Sequence, residues 1–225
     1  MILAPEADSS GVTEIRLGSA VPSFDRSKID AVESFLAARQ DGSIDRTLAE
    51  RVRSRLQTAE DVSAATLFGP EGATLAAFDF RENALETQAD GFRVPVYVLF
   101  TDSSGRVVES RDESLAFTIE GGSYACTDLT ATNVVSWTDH EVRDAAKKAG
   151  AEWELERVER HLREWTSDRD DLAGYSVSSV KSRGDGSFLV QCLRYEARPG
   201  RRGYRVNASP IVLRRSGDSI RIGTD

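Results

Sequence analysis

From residue 25 onward the apolar positions recur first at helical spacing and then at strand spacing, and the same succession comes round a second time. Ile29, Val32, Phe35 and Leu36 fall on one face, the recurrence that buries one stripe of a surface helix. Ser27 is placed to cap that helix, Asp30 sits in its first turn and Gly42 supplies a stop. Ile44, Leu48, Val52 and Leu56 then recur every four residues with Arg and Glu between them, predicting a second helix capped by Ser43 or Asp45.

From Asp61 the period drops to two, with strands expected near 62–68, 74–81, 92–101, 105–111, 114–120 and 123–132. Gly69-Pro70-Glu71-Gly72, Asp102-Ser103-Ser104-Gly105 and Gly121-Gly122 mark the turns of a meander. In the central run Val94, Val96 and Val98 face one way and Tyr97 and Leu99 the other, so both faces are expected to be covered. Pro95 lacks an N–H and marks either a strand that is not fully paired or a bulge. Residues 1–24 are polar and unpatterned up to Pro22 and read as an extended arm.

The second round begins at Thr138, which forms a capping box with Glu141, reinforced by Asp139. After a break near Gly150, Leu155, Val158, Leu162 and Trp165 form one stripe, with Glu156–Arg160 and Glu159–Arg163 as i,i+4 pairs on the outer face. Strands are expected near 174–183, 187–198, 203–214 and 219–223, separated by Gly184-Asp185-Gly186, Pro199 to Gly203, and Ser216-Gly217-Asp218. The fold class is therefore α+β: an arm at 1–24, a helix-then-antiparallel-sheet unit at 25–137 and another at 138–225.

The helix ending Phe35-Leu36-Ala37-Ala38-Arg39-Gln40-Asp41-Gly42 and the late strand from Tyr124 to Thr130 resemble the opening helix and a late strand of nuclear-transport-factor-two-like, cystatin-like α+β domains. The resemblance is one of architecture and covers two units in tandem. It implies cone-like curled sheets whose mouth can hold a small molecule, in a group that ranges from enzymes to pure binding and dimerisation modules, so it does not settle activity.

Composition narrows the classes. Forty per cent apolar and 29% charged residues describe a chain that folds around its own core. No run approaches the roughly 20 apolar residues of a membrane span. The first residues lack the basic and apolar regions of a signal peptide, which reads as cytoplasmic. The polar stretch from Glu6 to Ser23 also suits a mature exported domain whose signal was removed, which would make it periplasmic or secreted. The net charge of −8 argues against nucleic acid. It is unevenly placed: Leu172 onward carries ten Lys/Arg against four Asp/Glu, +6 on a body at −14. Those basic strands either pack against acidic surface of their own chain or dock an anionic partner.

Candidate chemistry is sparse, and no cofactor is implied. Cys126 and Cys192 lack the spacing of a zinc or redox motif. They are two buried thiols or one bridge between the units, which would constrain the unfolded chain by roughly 4 kcal/mol. His140, in Asp139-His140-Glu141, reads as a neighbour of a helix cap. His161, at the margin of the second-unit stripe, is the one candidate general base, placed to point into a cone beside Trp165. Asp168, Asp170 and Asp171 lack the order of a calcium loop, and Arg183-Gly184-Asp185 reads as turn chemistry. Arg194, Arg198, Arg201, Arg202 and Arg205 crowd neighbouring strands and one hairpin, where guanidinium groups favour carboxylate or phosphate. Trp153 lies off the apolar stripe and marks a contact site if exposed. The functional expectation is a binding or protein-interaction module for a small ligand or acidic protein partner. The alternatives are a small-molecule hydrolase or isomerase using His161, and an acidic immunity- or inhibitor-type protein.

Overall fold

The computed structural model describes residues 6–7, 13–14, 25–58, 68–137, 140–197, 200, 202–216 and 219–224. Within the stretch read as an arm, β1 (Glu6–Ala7) and β2 (Thr13–Glu14) pair antiparallel. Helix α1 (Arg26–Gln40) forms where the periodicity predicts it, with Ile29, Val32, Phe35 and Leu36 buried. Its cap is Asp25 rather than Ser27: the Ser27 backbone N–H donates to the Asp25 carboxylate at 3.2 Å, which puts Ser27 inside the first turn.

The stretch expected as a single second helix is divided. Ile44–Thr47 makes a 3-10 turn, Leu48 is extended and bridges Cys126, and α2 (Glu50–Thr58) starts only after it. Burying Leu48 completely and bonding the Ala49 N–H to the Cys126 carbonyl at 3.0 Å outweighs the weak propensity of so short a helix.

Strands β3 (Thr74–Phe80), β4 (Glu86–Thr87), β5 (Gly91–Thr101), β6 (Val107–Glu120) and β7 (Ser123–Ser136) form an antiparallel sheet in the order β3-β5-β6-β7, with β4 also on β5. The strand expected at 62–68 falls outside the described residues except for Phe68, which packs on the core. The two strands expected at 105–111 and 114–120 are one continuous β6. Pro95 sits where the neighbour of β5 changes from β3 at Val96 to β4 at Arg93, so its missing N–H breaks no ladder on that side. Phe92, Val94, Val96, Val98 and Phe100 face the helices, and the ring of Phe117 lies between Phe92, stacked at 4.8 Å, and Phe35, edge-on at 5.7 Å. Each such buried side chain contributes about 2 kcal/mol of transfer free energy.

The order of helices followed by an antiparallel sheet then recurs. Helices α3 (His140–Ala149) and α4 (Glu152–Ser167) are separated at Gly150, whose φ of 64° a side chain would disfavour. The cap predicted at Thr138 lies outside the described residues. Leu155, Val158 and Leu162 are buried with Trp165 packed beside them, while Glu159 pairs with Arg143 of α3 at 3.2 Å rather than along its own helix. Strands β8 (Leu172–Ser182), β9 (Ser187–Glu196), β10 (Arg205–Ser216) and β11 (Ser219–Thr224) form an antiparallel sheet in the order β11-β10-β9-β8. The molecule is α+β. Register shifts at Leu75/Ala77, Phe100/Thr101, Arg111/Glu113 and Val177/Ser179 curl both sheets.

The sheet faces turned away from the helices meet. Ala77, Leu99 and Val107 of the first pack with Tyr195 and Ala197 of the second, flanked by Trp137, Leu193 and Tyr204. Leu99 is therefore covered while Tyr97, further along β5, stays 39% exposed. The contact is tight at Gly174, where a Cβ would lie 2.7 Å from Thr101 Cγ2 and 2.8 Å from the Gly105 carbonyl oxygen. Beside it the Tyr175 N–H donates to that same carbonyl at 3.0 Å.

Candidate functional site

Next to this contact the connection from β9 to β10 leaves its own sheet and lies along β3. The Gly203 N–H donates to the Phe78 carbonyl at 2.9 Å, and the Gly200 N–H to Gln40 Oε1 at 3.0 Å. Gln40 in turn donates to the Ala76 carbonyl at 3.0 Å. Arg202 reaches Glu82 at 2.8 Å and lies over the Phe80 ring. Between this connection and the starts of β8 and β10 opens a cleft of about 580 Å³, lined by Asp171, Glu196, Arg202, Tyr204 and Arg205 with Ala197 and Gly203.

The charges of the cleft are not equally available. Asp171 is held by Arg169 in a two-point contact at 2.8 and 2.6 Å, and Arg202 is occupied by Glu82. Arg205 and Glu196 stand opposite one another across the β10–β9 ladder; neither makes an ion pair or side-chain hydrogen bond among the described residues, and Glu196 acts on nearby Arg169 only through its charge. Burial pushes the Tyr204 phenol up, with Tyr195, Asp79 and Asp112 adding to it, so Tyr204 stays a neutral O–H donor at the cleft wall. The arrangement offers a cation, an anion and a neutral donor side by side.

A second cavity of about 490 Å³ lies between the N-terminal half of α1 and the β6–β7 hairpin, lined by Ser27, Asp30, Ser34, Arg46, Ile119 and Tyr124 among others. Its lining is neutral except for Asp30 and Arg46.

The most concentrated ionic chemistry is sealed from both cavities. Arg39 and Glu113 form a two-point pair at 2.6 and 3.1 Å with side chains 1% and 0% exposed. Arg39 also donates to the Phe68 carbonyl at 3.3 Å and lies among the Phe35, Phe68 and Phe100 rings. Arg111 approaches Glu113 at 4.0 Å and pairs directly with Glu109. This group of two arginines and two glutamates is neutral as a whole, which suits a structural role in the core.

The residues singled out from sequence are dispersed. Arg202 and Arg205 reach the cleft; Arg194 instead stacks on Trp165 at 4.8 Å to the ring centroid, and Arg198 and Arg201 lie outside the described residues. Trp153 is half-buried under Arg157. His161 is exposed on α4 and lines neither cavity, because its position on the helix turns away from the sheet that Leu162 faces. Cys126 and Cys192 are free and buried in the two different helix–sheet cores, so the bridge between units is not formed. Burial pushes both thiols up to about 12. Arg183-Gly184-Asp185 is a turn in which Asp185 accepts from the Ser187 N–H and hydroxyl. Among the described residues no group of three His, Cys, Asp or Glu could hold a metal, and no helix is long and apolar enough to cross a membrane.

Sequence reasoning missed Glu196 and Tyr204 and considered Asp171 only as part of an acidic run without the order of a calcium loop; the three converge only through folding. It also missed the Arg39–Glu113 group, whose signal was present as charges at alternate positions of β6, in step with buried Leu115 and Phe117.

No family model matches the chain, and no curated protein matches it. Among solved structures, an "Ntf2 like protein involved in plasmid conjugation" aligns over 89% of this chain and 95% of its own, at 9% identity and a TM-score of 0.32.

Proposed function

We propose that the protein is a binding module of two α+β units, 25–137 and 138–225, that takes a small zwitterionic ligand, or the same chemistry at the end of a peptide, in the cleft between the β9–β10 connection and the starts of β8 and β10. The observation behind this is the adjacent Arg205 and Glu196 beside the neutral Tyr204, in a cleft whose other charges are already partnered. A carboxylate on Arg205 and an ammonium on Glu196 would each gain a charge-assisted hydrogen bond. A cleft of about 580 Å³ falls within the roughly 300–1,000 Å³ usual for small-ligand sites.

The same geometry refines the picture of a basic docking face. Arg202 is used on Glu82 of the first unit and Arg194 on Trp165, so the basic strands hold their own chain together as much as they offer charge outward. A catalytic reading built on His161 would need that side chain in a cavity, and it is on the exposed face of α4.

Melting the protein against a panel of free amino acids, dipeptides and dicarboxylates tests the proposal. A zwitterion at about a hundred times its dissociation constant stabilises by about 2.7 kcal/mol, a shift of roughly 5–10 °C for a chain of this length. Arg205→Ala and Glu196→Ala should each remove that shift. A panel without effect, or shifts in the two variants equal to those of the wild type, would refute it.

A further inference from the structure

The two long edges of the first sheet are treated differently. At the β3 edge the connection carrying Gly200 and Gly203 covers the strand, and at the start of β7 the bridge from Leu48 to Cys126 and the Ala49 N–H do the same. Beyond Leu129 no described residue covers the strand edge. Each of the last seven residues of β7, 130–136, is exposed, on both faces of the sheet. They read Thr130-Ala131-Thr132-Asn133-Val134-Val135-Ser136, without a charge, a proline or a glycine. Val134 and Val135, on opposite faces, are 49% and 50% exposed.

Natural edge strands of this length are guarded by charge, by proline, by covering chain or by a bulge. Among the described residues only the last is present: Thr132 and Asn133 together oppose Asp112, and both bind it, Thr132 Oγ1 to its carbonyl at 3.0 Å and Asn133 Nδ2 to its carboxylate at 2.7 Å. A bulge adds local twist that a regular strand does not match.

We infer that residues 130–136 are an interface for a second copy of this chain, with two β7 strands pairing antiparallel about a two-fold axis near Asn133 and joining two sheets into one. The second copy is favoured over an unrelated peptide on two grounds. A two-fold axis at Asn133 sets bulge against bulge, so the twists match. It also sets Thr132 against Val134, Ala131 against Val135 and Thr130 against Ser136, with no charge opposite a like charge although each chain carries −8. The proposal is independent of the cleft beside the β9–β10 connection.

Sedimentation velocity on the full chain from about 10 µM to about 1 mM covers the range expected of so small an interface. The sedimentation coefficient should rise with concentration towards that of a dimer. Val134→Lys and Val135→Lys should each hold the protein monomeric at the top of the range, with circular dichroism and melting unchanged because both side chains are exposed. A wild-type monomer at every concentration, or a dimer indifferent to both substitutions, would overturn the inference. Hydrogen exchange on the wild type decides independently of the variants. Amides of 130–136 should gain protection with concentration, and protection gained elsewhere instead would overturn it.

Discussion

Replacing Glu113 by Gln keeps the shape of the side chain and removes the charge that neutralises Arg39. Both side chains are out of water and joined at 2.6 and 3.1 Å, so the substitution leaves the Arg39 charge in the core without the carboxylate it pairs with. Removing one partner of such a pair costs about 3–5 kcal/mol, because the survivor stays buried and uncompensated. For a chain of this length that is a fall of roughly 6–20 °C in melting temperature. The companion variant Arg39→Met/Glu113→Gln removes both charges and leaves Arg111 with Glu109, a neutral set. It should be more stable than Glu113→Gln alone, with a coupling energy on the order of 2 kcal/mol. Urea unfolding of the wild type, both single variants and the double variant, followed by circular dichroism, measures the cycle. Losses below about 1 kcal/mol that simply add would be the behaviour of a surface pair and would refute the buried neutral group.

Three further outcomes follow from the packing. Titration with a thiol reagent should find neither Cys126 nor Cys192 reactive in the native protein and both reactive after unfolding without reductant; a mass gain of about 2 Da on reduction would contradict separate cores. Because burial raises both thiols from an ordinary 9.0 to about 12, the folded chain keeps protons that the unfolded chain releases. Their contribution to stability is therefore complete below pH 9 and declines as pH rises towards 12, and urea midpoints that do not fall across that window would contradict it. Gly174→Ala places a Cβ against Thr101 and the Gly105 carbonyl and should destabilise by about 1–3 kcal/mol, with hydrogen-exchange protection lost first at the Tyr175 amide; an unchanged exchange pattern would show that the sheets do not meet there.

The elements most legible in the sequence are those whose burial obeys a single period. Ile29, Val32, Phe35 and Leu36 needed only helical spacing, and the alternation of Val94, Val96 and Val98 needed only a strand. The reading was less complete where tertiary contacts overrode local pattern. Leu48 keeps the helical recurrence of its neighbours yet is extended, because it pairs with Cys126, a residue 78 positions away. Charges at Glu109, Arg111 and Glu113 divided one strand into two on paper, since nothing in β6 itself announces that Arg39 will meet them. The cleft was least legible. Asp171, Glu196, Tyr204 and Arg205 come from three strand ends, brought together by the pairing of Glu196 with Arg205 and with Leu172 and by the Ala197 N–H donating to the Asp171 carbonyl. The basic C-terminal strands were visible from composition, but that Arg202 turns to Glu82 and Arg205 to open solvent is a matter of where the chain was fixed.

Ligand binding through Arg205 and Glu196, in the cleft beside the β9–β10 connection, is the basis of the proposed function. Amide NMR of the full chain, titrated with the zwitterion giving the largest melting shift, measures it most directly. The account predicts saturable shifts confined to the amides around Asp171, Glu196 and 202–205, absent from the Arg205→Ala variant. Shifts centred instead on Ser27, Ser34 and Tyr124, or no shifts at any residue, would contradict it.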